Sequence, residues 1–201
     1  MNRLAGEKRE RPPYRRHLAA MAILSLLVLP ACLGGGGGEE SVTAADNIVT
    51  PPPAGGAPDP GVADIQDEFL DAVNQARSAS RMCGSVSFGP SPPVSWSANL
   101  AMAAWLHSSD MALNGFFSHT GSDGSSAGQR ITRQGYAWHT YGENIAVGYP
   151  TVASVMAGWL ASEGHCRNLM DPDFTEIGAG YAVGAFGGNP AARYWTFDLA
   201  D

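Results

Sequence analysis

The sequence predicts a single α+β domain over residues 64–201, and three observations point to it. Apolar residues recur at helical spacing through its first half, two β-rich runs close it, and about 138 residues are enough for one core. From Asp64 to about Ser80, Ile65, Phe69, Ala72, Val73 and Ala76 follow three- and four-residue steps. Asp64, Asp67 and Glu68 stand at the start of that stretch and Arg77 near its end, as a helix dipole favours. Gly84 to Pro93 reads as loop. A second helix is expected from Ser97, a capping residue, to Asn114, with Gly115 as its stop and Leu100, Ala104, His107 and Met111 as its apolar stripe. Gly121 to Gly128 is a further loop, and a short helix is expected around Gln129–Gln134. Thr151–Ala161 carries Val152, Val155, Met156 and Trp159 on one side, again helical. Glu176–Val183 and Ala191–Leu199 are the strand candidates, joined through Gly184–Pro190 as a hairpin.

What precedes the domain reads as an address and a tether. Residues 1–17 hold six basic and two acidic side chains, and Leu18–Leu29 is uncharged and mostly apolar. Twelve helical residues span roughly 18 Å, short of a ~30 Å hydrocarbon core, so residues 1–31 read as a secretory signal rather than a span. Leu29-Pro30-Ala31-Cys32 resembles a lipobox, in which Cys32 takes a diacylglyceryl group and becomes the mature N-terminus. Residues 32–63, with Gly34–Gly38 and Pro51–Pro53, have the composition of a flexible linker. The expected location is therefore outside the cytoplasm, lipid-anchored to the cell envelope. Cleavage before Cys32 leaves six basic and seventeen acidic residues, a net charge of −11. That argues against nucleic acid as a partner.

Cys83 and Cys166 remain. In an exported chain such a pair defaults to a disulfide, while Cys166 beside His165 leaves a nucleophilic or metal-binding role open.

Four polar residues at element boundaries could carry chemistry: His119, Glu143, His165 and Glu163. Two imidazoles and a carboxylate suit a zinc-like ion, or acid–base work without one. Their spacing forms no local metal motif, and caps or turn residues would read the same way. Gly124-Ser125-Ser126-Ala127-Gly128 fits a nucleophile elbow in letters, but the polar loop before it supplies no buried strand. His107 reads as a core or boundary histidine, and His139 as a loop residue.

The order of motifs resembles a known family. Phe117-Ser118-His119-Thr120, Gly142-Glu143-Asn144-Ile145-Ala146, the run from Trp159 through Ser162, Gly164-His165-Cys166 and Asn168-Leu169-Met170, then Phe174-Thr175-Glu176-Ile177-Gly178 and Tyr194-Trp195-Thr196, are similar to those of bacterial CAP (SCP-like) domains. The resemblance implies a three-layer α-β-α sandwich with a central cleft lined by His119, Glu143 and His165. It also implies that His119 and His165 can hold a divalent metal. Glu163 stands one residue beyond the family's usual position, a rotation of ~100° on a helix. The function expected from the resemblance is a module binding a small or lipidic ligand. A metal- or acid/base-assisted hydrolase of envelope peptide or glycan is the second expectation, and an interaction module with a vestigial cleft the third. The anchor itself is testable. Cys32→Ser is expected to release the protein from membrane fractions, and retention there would refute lipidation.

Overall fold

The computed structural model describes residues 1–6 and 60–201. Helix α1, Pro60–Arg77, begins four residues before the predicted boundary and buries Ile65, Phe69 and Val73. Within the segment expected as loop, Gly84–Pro93, lies strand β3 (Val86–Phe88), which pairs antiparallel with β2 (Arg81–Cys83) just before it, and β4 (Ser95–Trp96) follows. Helix α2, Ala98–Asn114, has the expected ends. The Ser97 side chain accepts from the Leu100 N–H, and Gly115 closes the helix at φ 66°, the left-handed region where glycine carries no Cβ penalty. Helix α3, Ala127–Arg133, starts in a capping box between Ser126 and Gln129, so the serine of the elbow-like string serves as a helix cap.

Strand β5, Tyr141–Val147, follows, and every residue in it is buried. Thr151 caps helix α4, Val152–Ala161, through a second capping box. Helix α5, Glu163–Met170, starts immediately afterwards, with Ser162 between the two. His165, expected at an element boundary, therefore lies within a short helix of its own. Strands β6 (Glu176–Phe186) and β7 (Asn189–Ala200) form the predicted hairpin; β6 starts where expected and runs on past Val183, and β7 extends beyond its expected bounds at both ends.

Five strands make one sheet in the order β1-β5-β7-β6-β4, where β1 is Arg3–Gly6. All pairs are antiparallel except β4 with β6. Alternation along the strands sorts the core into two faces. Trp195, Phe197 and Leu199 join Phe69, Trp159 and Leu169 under α1, α4 and α5. Tyr194 and Ala200 face the other way, where Met111 of α2 and Ile131 of α3 pack. Helices on both faces of one sheet make the α-β-α sandwich.

Two close approaches fix the layers. On the α2 face, a Cβ at Gly178 would lie 2.1 Å from the Ala101 backbone nitrogen, and one at Gly180 2.5 Å from the Trp105 Cα. These glycines let helix and sheet backbones touch. On the other face, buried Arg77 donates to the carbonyls of Pro92, Leu169, Asp171 and Phe174, binding α1 to the end of α5 and the loop after it. Cys83 and Cys166 form a disulfide with Cα atoms 5.4 Å apart, tying the small hairpin to α5. That bond closes off the nucleophile and metal-ligand roles left open for Cys166.

Among the described residues no helix is long and apolar enough to cross a membrane, and the apolar run 18–29 and Cys32 lie outside them. Gly178→Ala is expected to cost about 3 kcal/mol, because α2 backbone must move to admit one methyl group. Urea unfolding measures this, and a loss below about 1 kcal/mol would contradict the tight α2–β6 contact.

Candidate functional site

Strand β5 carries the carboxylate at the centre of the site. Glu143, Ile145 and Val147 share a face, and Asn144 and Ala146 the opposite one. On the α2/α3 face the Glu143 carboxylate is fully buried. His119, in the loop after α2, donates from Nδ1 to Glu143 Oε1 at 2.7 Å. Arg130 of α3 donates from Nη2 to Oε2 at 2.6 Å and from Nη1 to the Ser125 carbonyl at 2.9 Å. His107 of α2 donates from Nε2 to the Ser118 carbonyl at 2.9 Å, with the same nitrogen 4.0 Å from Glu143 Oε1. Asp198 of β7 stands directly opposite Glu143 in the strand register and is buried too.

These contacts set the ionisation. Burial favours the neutral acid of Glu143. The hydrogen bond from His119 and the charges of Arg130, His107 and His119 outweigh it and hold the pKa down at about 2. The His107 imidazole is pushed towards its neutral form, first by burial and then by Arg130, against the pull of Glu143. With Glu143 ionised, His119 must keep its proton on Nδ1, so in the neutral ring Nε2 holds the lone pair.

His165 reaches the same strand from the other face. Its Nδ1 and the Ser162 hydroxyl lie 2.7 Å apart. Asn144 donates to the His165 carbonyl at 3.2 Å, and Asn168 donates to Asn144 Oδ1 at 2.9 Å, so two buried amides fasten α5 to β5. Burial lowers the His165 pKa, with a smaller lowering from His119, so the two imidazoles sense one another. The Ala5 carbonyl favours the charged ring, while Nε2 has no partner within hydrogen-bond geometry.

Three of the four expected residues thus meet along β5: His119 and Glu143 in direct contact, His165 from across the strand. Glu163 does not join them. Its carboxylate is half exposed at the start of α5 and pairs with Arg167 one turn on, as the one-residue offset foreshadows. His139 is exposed, with Nδ1 3.6 Å from Asp201. Sequence reasoning passed over Arg130, Asn144 and Asn168 as site-builders, since a lone arginine in a short helix and amides inside a motif carry no chemical signature of their own.

A resident metal ion does not fit this donor set. Both Glu143 oxygens are engaged, Arg130 puts a positive charge beside them, and two imidazoles fall short of the three protein ligands of a catalytic zinc. Among the described residues no group of three or more His, Cys, Asp or Glu side chains is arranged to hold one.

A sandwich of this topology, with a Glu–His pair on one face of β5 and a second histidine reaching the strand from the other, sets the class of the domain. The chain belongs to the cysteine-rich secretory protein (CAP) family, whose model matches residues 70–199. It is 36% identical over 89 residues to the uncharacterized protein YkwD of Bacillus subtilis, covering 44% of this chain and 35% of that one. The chain therefore spans about a third of that relative. Among solved structures, an extracellular protein containing an SCP domain from Bacillus anthracis aligns at TM-score 0.53 and 27% identity, over 69% of this chain and 41% of that one. An outer surface protein from Borrelia burgdorferi shares the fold at TM-score 0.50 and 17% identity, over 69% of this chain and 92% of that one.

The ionisation pattern predicts acid sensitivity. A carboxyl held below its ordinary 4.5 contributes stability above that pH and loses it as pH falls towards about 2. Imidazoles held below 6.5 resist protonation in the fold, so their contribution begins to fall near pH 6.5. Glu143→Gln is expected to flatten the decline below pH 4.5 while lowering stability at pH 7 by roughly 3 kcal/mol, because Arg130 loses its buried counter-ion. Denaturant midpoints from pH 7 to 3 measure both effects. An unchanged acid limb would contradict an ionised, paired Glu143.

Proposed function

We propose that this chain is an exported CAP domain that binds a small ligand of the cell envelope in the cleft along β5, with His119 and His165 as contacting groups. The observation that carries this reading is the saturation of Glu143. Its oxygens accept from His119 and Arg130, so the carboxylate anchors the imidazole rather than standing free as a base. Export is supported by the Cys83–Cys166 disulfide and by the extracellular relative from Bacillus anthracis. Within this reading the signal at 1–31 directs export, and Cys32 anchors the domain to the envelope through the linker.

A hydrolytic reading draws on the same bond. A histidine oriented by a buried carboxylate is the base-and-orienter half of acid–base machinery, and His119 would act as the base on envelope peptide or glycan. One experiment separates the two. Envelope muropeptide and glycan fragments are added to the full chain while the ring protons of His119 and His165 are followed by NMR and products by mass spectrometry. Binding predicts shifted ring resonances, no products, and at least a tenfold weaker response in His119→Ala. Products that vanish in His119→Ala would instead establish hydrolysis.

A further inference from the structure

The sheet has an edge that needs a strand, and the structure shows what kind of chain fits it. Strand β5 is paired by β7 on one side and on the other by only four residues, Arg3–Gly6, in the register Arg3↔Val147 to Gly6↔Asn144. These residues lie in the stretch that the sequence marks as a removable signal. Without them β5 would present a row of unpaired N–H and C=O groups directly beside the cleft.

The seated segment occupies distinct sockets. Leu4 packs against the large core cluster of Trp159 and Phe197. Ala5 packs on the opposite face with Ile145 and Val147, and Arg3 lies over the Phe186 ring at 5.8 Å. Gly6, on the Leu4 face, sits against His165. A Cβ there would come 3.2 Å from the ring's Cδ2 and Nε2, tighter than an ordinary contact. Beside it, His165 Nε2 is buried, lacks a hydrogen-bond partner and lies near the Ala5 carbonyl. An imidazole nitrogen close to a main-chain carbonyl, an apolar socket and a position that crowds any side chain are the elements of peptide recognition by strand addition.

We propose that the β5 edge is a peptide-binding site. It takes an extended chain antiparallel to β5, with an apolar residue in the Leu4 socket and glycine two positions later beneath His165. The inference rests on the cleft reading above and names its ligand class. Main-chain ladder bonds supply affinity, and the sockets and the glycine position supply specificity. The chain's own N-terminus fills the site at the high effective concentration of a tethered ligand. Removal of residues 1–31 opens it to a peptide from another molecule.

The test uses the full chain and a full-length Leu4→Asp/Gly6→Val variant, which places a charge in the apolar socket and bulk against His165. The probe is the labelled hexapeptide MNRLAG, compared with MNRLAV, and binding is read by fluorescence anisotropy. The variant is expected to bind MNRLAG at least tenfold more tightly than the unaltered chain, and to bind MNRLAV at least tenfold more weakly than MNRLAG. Ala5→Pro, which removes a ladder N–H from the same segment, is expected to unmask the site equally. Equal affinity of the unaltered and altered chains, equal affinity for the two peptides, or self-association of the variants in place of peptide binding would each overturn the proposal. If the histidine rings respond to another envelope fragment while the peptide is ignored, this inference falls and the cleft reading stands. If neither is bound, both fall.

Discussion

A buried carboxylate with no free oxygen organises the site half of this domain. Glu143 sits on a strand with no exposed residue, and an isolated charge there would cost several kcal/mol. It is tolerated because partners arrive from separate elements: His119 from beyond α2, Arg130 from α3, and His107 from within α2. Each partner is fixed by local structure. The Ser126 capping box starts α3 so that Arg130 lies four residues on, and the Gly115 turn ends α2 shortly before His119. Electrostatic neutralisation and helix capping thus act as one constraint, joining three segments to β5.

The opposite face of β5 is built from uncharged amides. Asn144 and Asn168 fasten α5 to the strand, and with α5 comes His165. The strand therefore serves as a wall with a charged side and a neutral side. The two histidines approach its edge from different faces, each by a different kind of interaction. One imidazole is oriented by a carboxylate and the other sits against a serine hydroxyl, so the pair is chemically unequal.

How much of this was legible in the sequence follows from what each segment has to announce. Helix α2 has a stripe, a serine cap and a glycine stop, and its predicted ends hold within a residue. The β6–β7 hairpin has β-rich runs around a glycine-rich turn. Strand β5 shows no alternation, because it is buried on both faces and includes Glu143 and Asn144, residues that ordinarily signal exposure. Helix α5 is short and polar, and its boundary with α4 is a single residue, so it merged with the region after α4. His119, Glu143 and His165 stood out as polar residues at element boundaries, and only the order of motifs joined them into one site. Arg130 became meaningful once its guanidinium was seen against a carboxylate. Glu163 shows the converse: a carboxylate near the right place in sequence can turn to solvent within one residue.

The Arg77 clamp has a consequence of a different kind. Every acceptor it uses is a peptide carbonyl, and carbonyls do not titrate. The α1/α5 half of the sandwich is therefore joined by contacts indifferent to proton activity, backed by a covalent cross-link, whereas the α2/α3 half leans on a salt-bridged carboxylate. Acid would therefore reach the α2/α3 seam, where Glu143 takes up its proton, while the Arg77 clamp and the Cys83–Cys166 bond persist.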